Sequence, residues 1–211
     1  MPTPHASRSI IAATVVVCSL GACLSGCTSR PLQTSDPARG GLASAPVVLP
    51  VAQTPPHPVE GSFARTGNVY IAGQPSEAAM RQLKAEGVTL VVNLRTDAEM
   101  SNRERVPFDE AALASELGME YLHLPVSPPD HPYEPRVVDA LAQALARHEG
   151  KALLHCGVAG RASTVWAGYL VRHKGLTPDE ALEHAAAIRP QVQPLADLID
   201  ADVVFVPRKR R

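Results

Sequence analysis

One cysteine in the body of the chain lies in a segment whose residue types could carry out nucleophilic chemistry. The segment reads His155-Cys156-Gly157-Val158-Ala159-Gly160-Arg161. A predicted strand ends at the cysteine, and a predicted helix begins at the arginine. Turn amides and a helix N-terminus present N–H donors to an anion, and the same positive field favours a thiolate. The segment therefore predicts an anion-binding loop with a nucleophile at its base.

The residues of this loop have roles that follow from their chemistry. Cys156 would be the nucleophile, because the thiolate is the reactive form of cysteine. Arg161 would clamp two oxygens of an oxyanion with its planar guanidinium. Small residues at 157, 159 and 160 would keep the ring of amides open. The alternative is an inert buried thiol, but His, Cys, two Gly and Arg at one strand-to-helix turn favour a site.

The elements that must position this loop begin near Gly61, where short apolar runs alternate with helical segments. The pattern predicts strands at 69–72, 88–94, 119–126 and 151–155, and helices at about 76–87, 107–117, 135–149, 161–174 and 178–188. This alternation predicts an α/β fold with a mostly parallel central sheet flanked by helices. In such sheets ligands bind beyond the carboxyl ends of the strands, which is where the cysteine loop follows residues 151–155.

The loop and two upstream stretches resemble the protein tyrosine and dual-specificity phosphatase superfamily. Residues 71–76 (Ile-Ala-Gly-Gln-Pro-Ser) and 91–95 (Val-Val-Asn-Leu-Arg) are similar to stretches of small bacterial phosphatase-like domains, the type sometimes fused to β-lactamase-like hydrolases or NAD kinases. The resemblance covers about residues 61–190. It implies a cysteine-phosphatase fold, Cys156 as a nucleophile that forms a phosphocysteine, residues 157–161 as the phosphate-binding loop, and Arg161 as the phosphate clamp.

The resemblance also implies a general acid and supporting residues. Asp130 is the only Asp or Glu between the predicted strand 119–126 and Pro132, and it would protonate the leaving oxygen and later activate water. The alternative is an ordinary turn aspartate among prolines. His155 and Ser163 are expected to support the loop. Ala162 stands where the family often has a Ser or Thr that helps the thiolate leave, so Ser163 or Thr164 would substitute.

The spacing of the loop leaves two other functions open. The usual phosphatase loop has five residues between Cys and Arg, whereas four separate Cys156 from Arg161, as in some of the bacterial relatives. Rhodanese-type sulfurtransferases also use four residues at a strand-to-helix turn and carry a persulfide on the cysteine. A non-catalytic phosphate-binding lipoprotein is the third possibility. The upstream stretches favour the phosphatase.

The first thirty residues predict a secretory signal with a site for lipid attachment. Arg8 precedes an apolar stretch at 10–20, which suits a signal peptide and is short for a transmembrane helix. Leu24-Ser25-Gly26-Cys27 then looks like a bacterial lipobox, with Cys27 as the acylated residue, and Cys23 ends a poorer match. An ordinary signal peptide or a membrane helix is the alternative. The residue after Cys27 is Thr28 and not an Asp. In a bacterium with two membranes this favours the outer membrane, so we expect an outer-membrane lipoprotein that faces the periplasm.

The chain is therefore expected to have four parts. These are a signal peptide at 1–26, the lipidated cysteine with a Pro-rich linker at 27–60, a phosphatase-like domain at 61–207, and a basic tail at 208–211. Lys plus Arg number 20 and Asp plus Glu 21, which argues against nucleic acid as a main partner. The expected partners are a phosphorylated protein or small molecule and, through the lipid, a membrane. No cofactor or metal is expected.

Overall fold

The computed structural model describes residues 47–48, 59–188, 190–191 and 193–201. Within these residues six strands form one sheet in the order β1-β2-β3-β6-β4-β5. The strands are β1 (Val47–Val48), β2 (Phe63–Thr66), β3 (Val69–Ala72), β4 (Val88–Asn93), β5 (Glu120–His123) and β6 (Lys151–His155). β3, β6, β4 and β5 are parallel, while β1 and β2 add antiparallel pairs at one edge. The prediction of a mostly parallel sheet is confirmed.

Helices flank the sheet. They are α1 (Glu77–Ala85), α2 (Asp97–Ser101), α3 (Glu110–Glu116), α4 (Pro135–Arg147), α5 (Gly160–Lys174), α6 (Pro178–Ala185), which continues into a 3₁₀ turn (Ala186–Ile188), and α7 (Gln193–Ile199). The helix predicted from residue 107 begins at Glu110, because the Asp109 side chain caps it by accepting from the Ala112 amide. The short elements β2, α2 and α7 were not predicted.

Alternation along the central strands produces an apolar core on both faces of the sheet. On one face Ile71, Val92 and Leu154 pack with α4, α5, α6 and α7. On the other face Tyr70 and Leu153 pack with α1 and α3. Burial on both faces explains the near-continuous apolar run that predicted β4. The core therefore fixes the central strands, and with them the loops at their carboxyl ends.

Two expectations about the edges of the domain differ from the structure, and three others fall outside the described residues. Val47–Val48, within the predicted linker, pair as a strand with Ala64 and Arg65 of β2. The predicted strand 119–126 ends at His123, although the amides of Leu124 and Val126 still donate to the carbonyls of Asn93 and Leu94. The signal peptide, Cys27 and the basic tail lie outside the described residues, so these predictions stay untested. No helix in the described ranges is long and apolar enough to cross a membrane.

Candidate active site

The cysteine loop lies at the carboxyl end of β6, between β3 and β4 in the middle of the sheet. His155 is the last residue of β6, Cys156 follows as a buried free thiol, and α5 begins at Gly160 with Arg161 in its first turn. The predicted strand-to-helix turn is therefore confirmed. The first amides of α5 have no acceptor within the helix and are available to an anion.

The four residues between Cys156 and Arg161 differ in how tightly the protein holds them. Val158 is 63% exposed on the rim. Ala159 is fully buried and has a φ of 75°, a left-handed conformation that costs an alanine about 1–2 kcal/mol. A Cβ on Gly157 would lie 3.7 Å from Nη2 of Arg161, and a Cβ on Gly160 would meet open space. The loop is thus held most tightly at Ala159, immediately before α5.

Arg161 is held by a carboxylate that sequence reasoning missed. Its Nη2 donates to Oε1 of Glu99 at 2.6 Å and its Nη1 to Oε2 at 2.8 Å. Nη1 also donates to the carbonyls of Val126 at 2.9 Å and Leu94 at 3.3 Å. A guanidinium has five N–H donors in a fixed fork. The Nη1 side is therefore occupied, and Nε with the second hydrogen of Nη2 forms an edge that can bind two oxygens of an anion.

Electrostatics keep both members of this pair charged. Burial raises the pKa of Glu99, but hydrogen bonds from Arg161 and the Thr96 amide outweigh it and lower the pKa to about 2. Burial lowers the pKa of Arg161, but Glu99 and Cys156 together raise it above the ordinary arginine value. The influence of Cys156 on the pKa of Arg161 indicates that the thiol lies near the guanidinium, and the roles of both residues stay predictions.

Asp130 lies at the exposed tip of the loop between β5 and α4. The loop is closed by Ser127 and His131, whose backbone groups exchange hydrogen bonds of 2.7 and 3.1 Å. Val126, at the base of the same loop, provides a carbonyl to Arg161. In the described part of the chain Asp130 has no hydrogen bond to Cys156 or Arg161, so its role as the general acid stays a prediction. Catalytic hydrogen bonds often tighten only when substrate is bound.

The two supporting residues have partners that sequence reasoning did not identify. Nε2 of His155 lies 2.8 Å from Oε1 of Glu110, and both side chains are buried. The Ser163 hydroxyl donates to the carbonyl of Gly160 at 3.0 Å, a bond within its own helix. Thr164 donates to the same carbonyl at 2.9 Å. The hydroxyl protons of both are thus directed at the loop backbone, and a contact of Ser163 with Cys156 stays a prediction.

Tyr133 is a further residue of the site that sequence reasoning missed. Its hydroxyl donates to Oε1 of the Gln191 side chain at 2.9 Å, and the backbone N–H of Gln191 donates to Oγ1 of Thr164 at 2.7 Å. Burial raises the pKa of Tyr133, while Arg161 lowers it and Cys156 raises it. Tyr133 and Cys156 also belong to one buried cluster, together with Ala162 in the first turn of α5. Tyr133 follows the prolines of the Asp130 loop, but no local pattern marks it.

The stretch 71–76 supports the cysteine loop from β3. A Cβ on Gly73 would overlap the carbonyl oxygen of Glu60 and lie 2.8 Å from that of Gly157, so only glycine fits there. The amide of Gln74 donates to the Gly157 carbonyl at 2.9 Å. This hydrogen bond turns the carbonyl towards β3. The similarity of this stretch to phosphatase-like domains therefore has a structural reason.

The sequence of the chain is similar to those of known phosphatases. Residues 64–170 match the family described as "Beta-lactamase hydrolase-like protein, phosphatase-like domain". The chain is 32% identical over 124 residues to the phosphatidylglycerophosphate phosphatase PTPMT2 of Arabidopsis thaliana, which covers 56% of this chain and 50% of the relative. It is 33% identical over 96 residues to the beta-lactamase hydrolase-like protein of Agrobacterium fabrum, covering 46% and 22%. The chain thus spans half or less of the length of these relatives.

The fold is similar to that of solved phosphatases. The crystal structure of Tk-PTP in its active form superimposes with a TM-score of 0.52 and 25% identity, covering 64% of this chain and 92% of that one. This similarity confirms the predicted cysteine-phosphatase fold. The family match spans just over half of the chain and includes β6, the cysteine loop and Arg161. The chain therefore belongs to the phosphatase-like domain family of the beta-lactamase hydrolase-like proteins.

Proposed function

We propose that this protein hydrolyses phosphomonoesters through a cysteinyl-phosphate intermediate on Cys156. Membership of a phosphatase-like family supports phosphoester hydrolysis. The finer proposal rests on one observation, the Nε/Nη2 edge of Arg161, which has no side-chain partner beyond the Glu99 bond in the described structure. Glu99 binds Nη1 and Nη2 at the end of the guanidinium, so the edge is fixed in direction. A thiolate, a two-point cation and the amides of a helix start together fit a tetrahedral phosphate.

The proposed reaction has two steps. In the first, Sγ of Cys156 attacks phosphorus, the bond from phosphorus to the ester oxygen breaks, and that oxygen leaves with a proton from Asp130. In the second, the Asp130 carboxylate takes a proton from water, the water oxygen attacks phosphorus, and the thiolate leaves. Arg161 and the amides of residues 157–161 stabilise the charge on the three non-bridging oxygens in both steps. The products are an alcohol and inorganic phosphate.

We also propose that the domain is attached by lipid at Cys27 to a membrane, on its periplasmic side. The lipobox at 24–27 after the apolar stretch 10–20 supports this proposal. Burial of lipid chains is worth about 0.8 kcal/mol per methylene, so an N-terminus with several chains is a stable anchor. Residues 28–46, which precede β1, contain three prolines and, fully extended at about 3.3 Å per residue, would span on the order of 60 Å. Such a linker would let the domain reach substrates away from the lipid.

The experiment that tests the activity is steady-state hydrolysis of an aryl phosphate. We expect turnover that vanadate inhibits, that Cys156→Ser abolishes and that Arg161→Ala strongly reduces. A phosphotyrosine peptide and phosphatidylglycerophosphate then test the class of substrate, the second because the Arabidopsis relative is named for it. Absence of hydrolysis combined with sulfur transfer from thiosulfate to cyanide would overturn the proposal in favour of a sulfurtransferase. Absence of both activities would favour a phosphate-binding protein.

A further inference from the structure

A continuous chain of buried and half-buried polar side chains joins the two ends of the cysteine loop. We call this chain the polar relay. In order of contact it consists of His155, Glu110, Gln74, Arg95, Glu99 and Arg161. The first four are at most 3% exposed. The relay therefore begins next to the nucleophile, crosses the interior, and ends at the residue that would hold the phosphate.

The first half of the relay has only one possible arrangement of hydrogen bonds. A guanidinium can only donate, so the 2.7 Å contact with Nη1 of Arg95 fixes Oε1 of Gln74 as the acceptor. Nε2 of Gln74 must then face Glu110, and it donates to Oε2 at 2.6 Å. The other oxygen of Glu110 faces Nε2 of His155. The Gln74 amide thus connects a cation with an anion and could not be reversed without two repulsive contacts.

The second half of the relay transmits this arrangement to Arg161. Nε of Arg95 forms an ion pair with Oε1 of Glu99 at 3.6 Å, and its Nη2 approaches the Glu99 carbonyl at 3.4 Å. The Thr96 amide donates to Oε2 of Glu99 at 2.9 Å. The same carboxylate binds both nitrogens of the Arg161 fork. The direction of the free edge of Arg161 therefore depends on where Arg95 and Thr96 hold Glu99.

We propose that Gln74, Arg95 and Glu110 are positioning residues of the phosphatase reaction, an inference that rests on the proposed function. They hold Glu99 and His155, and through these two residues they fix the Arg161 edge and the start of the loop. Gln74 acts twice, because its backbone amide also holds the Gly157 carbonyl at 2.9 Å. A displacement of about 1 Å in such a site can reduce the rate about 10²-fold.

Stability alone is a poor explanation for the relay. Moving charges into a protein interior costs free energy, and well-packed apolar residues of similar volume are often as stable or more stable. The hydrogen-bonded groups of the relay, in contrast, hold each other in one geometry, although Nδ1 of His155 and Nε of Arg95 have no hydrogen-bond partner in the described structure. The two stretches that carry Gln74 and Arg95 are also those with similarity to phosphatase-like domains. Fixed geometry at the loop is a function that accounts for both facts.

The test replaces Gln74 by Met, which has a similar volume and no amide, in the full chain. Two quantities are measured, the concentration of inorganic phosphate that protects Cys156 from iodoacetamide and kcat/KM for an aryl phosphate. We expect Gln74→Met to weaken both about 10- to 100-fold, the range of losses for outer-shell partners of a site. Glu99→Gln is expected to do the same. In the double variant the loss should be clearly smaller than the product of the two single losses, because both changes release the same guanidinium.

Two control variants separate positioning from a general loss of stability. Gln82→Met makes the same substitution at a half-buried glutamine of α1, whose side chain donates to Glu86. Leu83→Ala removes a buried apolar side chain of α1 outside the relay and lowers the melting temperature. Neither is expected to change protection by phosphate. If Gln74→Met does not unfold cooperatively, Arg95→Lys replaces it, since a lysine keeps the charge but cannot bind Gln74 and Glu99 in the same fork geometry.

The outcomes distinguish the relay from the proposed function. Phosphate protection like that of the wild type in Gln74→Met or Arg95→Lys, or losses that multiply in the double variant, would overturn the relay. If phosphate protects Cys156 of the wild type but the protein hydrolyses no aryl phosphate, the proposed activity alone is refuted. Weaker protection in the variants would then still support the relay. Wild-type protein that phosphate does not protect would overturn both.

Discussion

Glu99 and Arg161 form a two-point ion pair, with distances of 2.6 and 2.8 Å between the paired atoms. The pair connects α2 with the first turn of α5, and it holds Nη2 of Arg161 beside the loop, 3.7 Å from where a Cβ on Gly157 would lie. Without it, Arg161 would keep only the carbonyls of Val126 and Leu94 as protein partners in the described structure. The position of the proposed phosphate clamp therefore depends on a residue of α2.

The first prediction concerns the loss of this pair. Glu99→Gln should lower kcat/KM for an aryl phosphate about 10- to 100-fold, because a clamp that is free to rotate no longer meets the transition state in a fixed geometry. Steady-state kinetics of the purified variant measure the loss. Glu104→Gln, at an exposed residue just after α2, is the matched control and should retain wild-type kinetics. Equal kinetics in the two variants would contradict the positioning role of Glu99.

The same pair predicts how stability depends on pH. The folded pKa of Glu99 is lowered from 4.5 to about 2, so the unfolded chain binds the proton more readily than the folded one. The stabilisation is complete above about 4.5 and is lost as the pH falls towards about 2. We expect the difference in melting temperature between wild type and Glu99→Gln to shrink across that range. Thermal unfolding at a series of pH values measures it, and a constant difference would contradict the prediction.

How far the sequence predicts the site can be seen from Cys156, Arg161 and Glu99. The first two lie within one strand-to-helix turn, where the order of residue types is a local signal that the structure confirms. Glu99 has a local signal too, since Thr96 and Glu99 form the capping box of α2. Its contact with Arg161, 62 positions away, has none. That contact depends on the parallel order of β4 and β6, which local patterns do not specify.

Glu110 shows a second reason for what the sequence did not predict. A glutamate at the first position of a helix predicts an exposed residue that favours the helix N-terminus. Glu110 is instead 2% exposed, because His155 at the end of β6 and Gln74 just after β3 bind its carboxylate. The strands β3, β4 and β6, in contrast, are short runs that are mostly apolar, and the pattern predicts them nearly to the residue. The pairing of buried polar side chains can be identified only in the tertiary structure, whereas apolar periodicity can be read from the sequence.

The general acid is tested by the dependence on the leaving group. Asp130→Asn should lower turnover of an alkyl phosphate about 10²–10⁴-fold, the usual contribution of a positioned acid. It should affect an aryl phosphate with a good leaving group much less, since that oxygen leaves without a proton. Asp97→Asn, at another exposed aspartate near the carboxyl ends of the strands, is the control. Equal small losses on both substrates would remove Asp130 from the mechanism.

The lipid anchor is tested by labelling of the full chain in a bacterial host. Labelled palmitate should appear on wild-type protein and disappear in Cys27→Ala, because the acylated cysteine becomes the mature N-terminus. Cys23→Ala, four residues earlier in the poorer lipobox, is the control and should keep the label. Label that is lost only in Cys23→Ala would move the site of attachment, and an unlabelled wild type would contradict the anchor.

The most direct test of the account is the mass of Cys156 during turnover. Protein mixed with an aryl phosphate is quenched in acid within a turnover, and the peptide that contains Cys156 is analysed by mass spectrometry. A covalent phosphocysteine predicts a gain of about 80 Da on this residue, absent in Cys156→Ser. A parallel sample receives thiosulfate in place of the ester. A persulfide would instead add about 32 Da, the mass of one sulfur atom on a cysteine nucleophile. If the ester adds no phosphoryl group and thiosulfate adds this sulfur, phosphoester hydrolysis at Cys156 is contradicted.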